Sequence, residues 1–248
     1  MFWLGSWFIL SGGAQRTKEW AQEKVIAFTA ENGFTVDNIL VEGRHYTDPD
    51  AIVAILNIKK GDPVFAFSPA PAQKMLNKLS WVKEARVQRR LPDTIYVELT
   101  ERKPMALWQH EGKIKVVDED GEVLTSDRLE RFKDLLIVTG EKAPKEAHTV
   151  IEALEYEPEI AKRTESATLV SDRRWDLTLT GGIKVRLPEE EIAFALRRLV
   201  GAQEESGLLD KDIKSIDLRE AERIVVQTRP GAAQDYRATI EPAAGGPI

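Results

Sequence analysis

Residues 82–100 read VKEARVQRRLPDTIYVELT. In the first half Ala85, Val87 and Leu91 alternate with Glu84, Arg86, Gln88 and Arg90; in the second Ile95, Val97 and Leu99 alternate with Tyr96, Glu98 and Thr100. A period of two marks strands with one buried face. Opposite residues of an antiparallel pair share a face, so pairing Leu91 with Ile95 and Val87 with Leu99 brings the apolar sets together. Pro92, Asp93 and Thr94 then form a three-residue turn.

Two short helical patterns precede this hairpin. Thr47 is placed to cap the first, with Pro49 in its opening turn and Ile52, Ile55 and Leu56 on one face. Ser68, Pro69 and Pro71 open the second, which carries Ala72, Met75, Leu76 and Leu79. Ahead of both, Phe34, Val36, Ile39 and Val41 read as a strand ending at Gly43. The order strand, helix, helix, strand, strand describes a two-layer α+β unit that closes near Glu101.

After Pro104 the pattern changes to short strands at 105–108, 114–117, 123–124 and 135–138, with a helix at 144–154. A second hairpin joins 174–180 to 183–187. A two-residue Gly181-Gly182 loop would mix its faces. A three-residue loop including Thr180 sets Leu179 against Ile183, Leu177 against Val185 and Trp175 against Leu187. An amphipathic helix follows, with Glu189, Glu190 and Glu191 in its first turn and Ile192, Leu196 and Leu199 on one face. Segments 213–218 and 223–228 form a last antiparallel pair, whose final strand is placed at a sheet edge with unpaired N–H and C=O groups. The Gly/Ala/Pro-rich stretch 230–248 reads as a flexible tail.

The chain has 248 residues and a net charge of −6, from 35 Lys plus Arg against 41 Asp plus Glu, which argues against bulk nucleic-acid binding. It contains no Cys, so disulfides, thiolate nucleophiles, Cys-bound zinc and iron–sulfur clusters are excluded. Segment 1–14 is uncharged and holds Phe2, Trp3, Leu4, Trp7, Phe8 and Ile9. It is shorter than the roughly 20 apolar residues of a spanning helix, and reads as the remnant of a transmembrane segment with an aromatic belt. A buried N-terminal helix is the alternative. Residues 15–33 then read as a juxtamembrane helix.

Catalytic motifs are absent: there is no Walker loop, HExxH or G-x-S-x-G. His45, His110 and His148 are isolated and read as solvent-facing. Asp118, Glu119 and Asp120 read as a tight turn before Gly121 rather than as a metal site or a carboxylate pair. Arg86, Arg89 and Arg90 read as a solvated sheet face, with docking of acidic segments as the alternative. No catalytic, cofactor or metal residue is assigned.

Eight segments in series, VEGR (41–44), LSWVKEARV (79–87), LPDT (91–94), ERKPMALWQ (101–109), VDEDG (117–121), RRWDL (173–177), GIKVRLP (182–188) and IDLR (216–219), resemble the FtsQ/DivIB family of bacterial cell-division proteins. The resemblance spans 34–229. It implies an α+β chain, with a β-α-α-β-β POTRA domain at 34–101 followed by a mainly antiparallel β domain with flanking helices at 102–229. It further implies a non-catalytic divisome scaffold, single-pass in the inner membrane, with its bulk in the periplasm at the septum. Such a scaffold binds FtsB and FtsL through its β domain and other divisome proteins through its POTRA domain. It helps recruit and regulate septal peptidoglycan synthesis, without cofactor, small-molecule substrate or nucleic acid.

Carried over by position, the resemblance implicates Arg173, Arg174, Arg219 and the strand 220–228 in strand addition by FtsB, with the arginines meeting acidic residues of the partner. The residues concerned in that strand are Glu220, Arg223, Ile224, Val225, Val226 and Thr228. Ile224 and Val226 serve as apolar anchors or face the core. Glu220 and Thr228 stand where some members carry aromatic residues. Two rivals remain. Another POTRA-bearing translocation or assembly module would call for a membrane barrel, which outward Lys184 and Arg186 disfavour. A cell-wall hydrolase using Asp118 or Asp120 would need a second carboxylate about 5 to 9.5 Å away across a cleft.

Overall fold

The computed structural model describes residues 13–230. The expected membrane remnant, apart from its last two residues, and the expected tail from 231 onward lie outside the described residues. The chain divides into two compact units, one reaching to Arg102 and one starting at Lys103. Helix α1 (Gly13–Glu31) leads into the first. Trp20, Val25 and Phe28 on α1 are exposed. Among the described residues no helix is long and apolar enough to cross a membrane.

The first unit contains β1 (Asn38–Glu42), α2 (Pro49–Leu56), α3 (Pro69–Leu76), β2 (Val82–Arg90) and β3 (Thr94–Glu101). Its sheet order is β1-β3-β2, with β1 parallel to β3 and β2 antiparallel to it. This is the expected element order, and the core joins Ile52, Leu56, Ala72 and Leu76 of the helices to Ala85, Val87, Ile95, Val97 and Leu99 of the sheet. The hairpin register differs from expectation by two residues: Val87 faces Val97 and Ala85 faces Leu99. A slip of two preserves the faces. The turn is set by Asp93, whose carbonyl accepts the N–H groups of Asp37 and Asn38 at the start of β1 (2.8 and 3.2 Å). The strands therefore part after the Arg90–Thr94 pair, and Leu91 stands in the turn, exposed rather than paired with Ile95.

Two further expectations are corrected here. The cap of α2 is Asp48, whose carboxylate accepts the Asp50 N–H, because Thr47 is buried against Glu101. The first strand starts only at Asn38, since Phe34 packs its ring on Phe65 and Thr35 bridges to Pro63. Glu101 accepts the backbone N–H groups of His45, Tyr46 and Thr47, each at 2.8 Å, and so closes the loop after β1. That loop begins at Gly43, at φ +77, where a Cβ would overlap the Leu99 carbonyl. The free edge of β2 is partly closed by α3: Asn77 Oδ1 accepts the Ala85 N–H (2.7 Å) and Gln73 Oε1 the Val87 N–H (3.4 Å).

The second unit is built on nine strands: β4 (Pro104–His110), β5 (Lys113–Asp118), β6 (Val123–Thr125), β7 (Ile137–Thr139), β8 (Thr164–Val170), β9 (Arg174–Leu179), β10 (Ile183–Arg186), β11 (Ile213–Asp217) and β12 (Val225–Thr228). Their order across the sheet is β12-β11-β10-β9-β8-β7-β4-β5-β6. Five of the pairings are antiparallel; β4–β7, β7–β8 and β10–β11 are parallel. Helices α4 (Ala143–Glu155), α5 (Pro158–Arg163) and α6 (Ile192–Ser206) cover one face, burying Trp175, Leu177, Leu179 and Val185 against Ala147, Val150, Leu196 and Leu199.

The β9–β10 hairpin has the expected register, with Leu179 opposite Ile183 and Leu177 opposite Val185. Leu187 continues it by donating its N–H to the Trp175 carbonyl. Helix α6 starts at Ile192, not at Glu189. Glu191 sits at φ +59, a left-handed conformation that stops the helix from extending backwards, so the three glutamates precede it.

Candidate partner-binding edge

β12 closes the sheet at one end, at the edge expected for the last strand, but it is shorter than 220–228. Only Val225–Thr228 pair with β11, in the register Asp217–Val225, Ile216–Val226 and Ser215–Gln227. Glu220 to Ile224 instead form the connection from β11. The charges explain the early turn: Arg223 bridges Glu220 through Nε (2.6 Å), three residues apart in a bend rather than in a strand.

The direction of the backbone groups follows from one bond. Arg229, just after β12, donates its N–H to the carbonyl of Asp212, just before β11 (3.2 Å). Counting back in twos, Gln227 and Val225 also turn inward, while Val226 and Thr228 turn N–H and C=O away from the sheet. Those two residues carry the outward-turned backbone groups of the edge. Ile224 packs on the core of the second unit. Val226 lies opposite the buried Ile216 yet keeps 36% of its surface exposed, and Val225, on the other face, keeps 48%. One valine thus stands on each face of the edge.

The expected arginines gather at one end of the strands, at the start of β9 and of β12 and the ends of β10 and β11. Arg219 holds Asp217 through Nε (2.8 Å) and Nη2 (2.6 Å), and Arg186 approaches the same carboxylate at 3.6 Å. The hydrogen bonds from Arg219 hold the Asp217 carboxyl below the usual carboxylate range. Arg219, Glu220, Arg223, Val225 and Asp217 line one hollow of about 520 Å³ beside β12. Arg173 and Arg174 lie apart from it. They sit at the β8–β9 turn, three strands from β12, or about 14 Å at the usual strand spacing. Arg174 is drawn to Asp176 (3.7 Å) and Arg173 to Glu189 (3.9 Å). Sequence spacing does not reveal that Arg186 joins this row; its position opposite Asp217 follows from the parallel β10–β11 pairing.

The acidic run 118–120 forms a turn. Asp118 is buried, and its Oδ1 accepts the N–H groups of Asp120 (3.0 Å) and Glu122 (2.8 Å), closing the β5–β6 turn. Among the described residues no group of three or more His, Asp or Glu is placed to hold a metal ion.

Comparison with known proteins identifies the family of the chain. Residues 34–102 match the family model "POTRA domain, FtsQ-type", and residues 106–219 match "Cell division protein FtsQ/DivIB, C-terminal". The cell division protein FtsQ of Rickettsia conorii is 35% identical over 210 residues, covering 85% of this chain and 78% of that one. FtsQ of Bradyrhizobium diazoefficiens is 33% identical, covering 82% of this chain and 59% of its own, and FtsQ of Caulobacter vibrioides 32%, covering 81% and 66%. The extracytoplasmic domain of DivIB from Geobacillus stearothermophilus aligns with 44% of this chain at a TM-score of 0.28 and 11% identity, too remote to carry weight. With both family models matched in order along one chain, and FtsQ relatives aligned over most of its length, the chain belongs to the FtsQ/DivIB family of bacterial cell division proteins.

Proposed function

We propose that this chain is a non-catalytic scaffold of the divisome, anchored in the inner membrane with its two units in the periplasm, and that β12 takes on a strand of FtsB, with FtsL in the same subcomplex. The first unit serves recruitment to the septum through other divisome proteins, and the assembled complex regulates septal peptidoglycan synthesis. One observation carries the reading of the site: β12 ends a nine-stranded sheet with the backbone groups of Val226 and Thr228 turned outward. Strand addition supplies affinity through such groups and specificity through alternate side chains. Arg219 and Arg223 border the hollow at the start of β12, where acidic residues flanking the added strand would meet them.

Hydrogen exchange tests this directly. Adding the periplasmic segment of FtsB should slow exchange of the Val226 and Thr228 amides, while those of Val225 and Gln227, already turned to β11, change little. Exchange at Val226 and Thr228 that is unaltered by saturating FtsB segment would refute strand addition here.

A further inference from the structure

Away from β12, the second unit carries an open groove of about 830 Å³ between the C-terminal half of α4 and the first residues of β4, β7 and β8. Its floor is apolar: Met105, Leu136, Ile151 and Ala161 line it, each half-buried against the main core. Its rim is acidic, with Glu119, Asp134, Glu152, Glu155 and Glu165 against Lys103 and Lys133. Among the described residues Asp134, Glu152, Glu155 and Glu165 take part in no ion pair.

The placement of two of these acids breaks a local rule. Glu152 and Glu155 occupy the last turn of α4, which holds no basic residue. The C-terminal end of a helix is its negative pole, and each carboxylate there is unfavourable by about 0.3 to 1 kcal/mol. A site that keeps such charges uncompensated concentrates negative potential over an apolar floor, a field that attracts cations. β4, β7 and β8 are all inner strands, so no unpaired edge is offered and recognition rests on side chains. That suits a helix lying in a groove rather than an added strand.

We infer that this groove docks a basic amphipathic helix of a partner protein, apolar residues on the floor and Lys or Arg along the rim. The inference is independent of strand addition at β12. The test uses three amphipathic peptides with one leucine face and a polar face of lysine, glutamine or glutamate, titrated into the methyl-labelled chain. The lysine peptide should shift the methyl signals of Met105, Leu136 and Ile151, and bind more weakly as salt is raised. The double variant Glu152→Lys/Glu155→Lys should bind it about tenfold more weakly, and Glu165→Lys, on a different element, should weaken it in the same sense. Three results would overturn the inference: no shift at these methyls, equal binding of the glutamine or glutamate peptide, or unchanged affinity in both folded charge variants. Val226→Pro, which addresses β12, should leave this binding as it is.

Discussion

Proline placed at two neighbouring positions of β12 separates the strand's inward and outward duties. At Val225 the N–H turns to β11, so Val225→Pro removes a ladder bond and leaves an Asp217 carbonyl without its donor. A lost bond is worth about 1 kcal/mol and an unpaired carbonyl about 1 to 3, so a loss of about 1 to 3 kcal/mol is expected at this partly exposed edge. For a unit of this size that lowers the melting temperature by about 3 to 10 °C. At Val226 the N–H turns outward, and Val226→Pro should change stability by less than about 0.5 kcal/mol. The order reverses for binding. Val226→Pro deprives the incoming strand of a donor and leaves its carbonyl unpaired, about 2 to 4 kcal/mol in all, or about 30- to 1,000-fold in Kd. Thermal unfolding followed by circular dichroism and calorimetric titration with the periplasmic segment of FtsB give the two readouts. Full affinity in Val226→Pro, or a destabilisation of Val226→Pro equal to that of Val225→Pro, would show that the direction assigned to the backbone is wrong.

The remaining predictions concern charges and one glycine. Burial alone would raise the Glu101 carboxyl, but hydrogen bonds from Thr47, Tyr46 and His45 outweigh it and hold the group below the usual carboxylate range. It therefore adds stability above its unfolded-state pKa and loses it as pH falls through the lower folded value. Glu101→Gln should cost about 1 to 2 kcal/mol at neutral pH, a gap that closes in acid; parallel denaturant titrations at neutral and acid pH check it. Gly43→Ala combines about 1 kcal/mol for the left-handed backbone with about 1 to 3 for the overlap on the Leu99 carbonyl, so a loss of about 2 to 4 kcal/mol by urea unfolding is expected. Arg219→Glu should weaken FtsB binding about tenfold at low salt and less at high salt, with the fold kept because Arg186 still faces Asp217. Equal affinity in a pull-down at low salt would remove Arg219 from the interface.

The sequence made the alternating strands legible wherever one face is strongly apolar. Leu177, Leu179, Ile183 and Val185 allow one register, and the β9–β10 hairpin has it. Between β2 and β3 the apolar pattern only fixed the faces. The final choice fell to the Asp93 carbonyl, a long-range bond to β1 that no local period encodes. β8 leaves no pattern in the sequence, because its buried residues are Ala167 and Leu169 among Thr, Ser and Glu, with too little apolar contrast. The same limit applies to the site. That a last strand exists near 225–228 is readable from its valines; that its outward groups belong to Val226 and Thr228 depends on a bond from Arg229 to Asp212. The groove under α4 collects residues from five elements spread over 103–165, and no spacing rule gathers them.

The two side-chain amides at the end of α3 that reach over β2, Gln73 and the capping Asn77, bear on self-association. A nine-residue strand with an open side is a template for any extended chain, including a second copy of itself. By occupying the Ala85 and Val87 N–H groups, Asn77 and Gln73 remove two donors from the middle of that template. The first unit therefore offers less of this edge to a neighbouring copy, at the cost of two polar side chains on and just after a short helix.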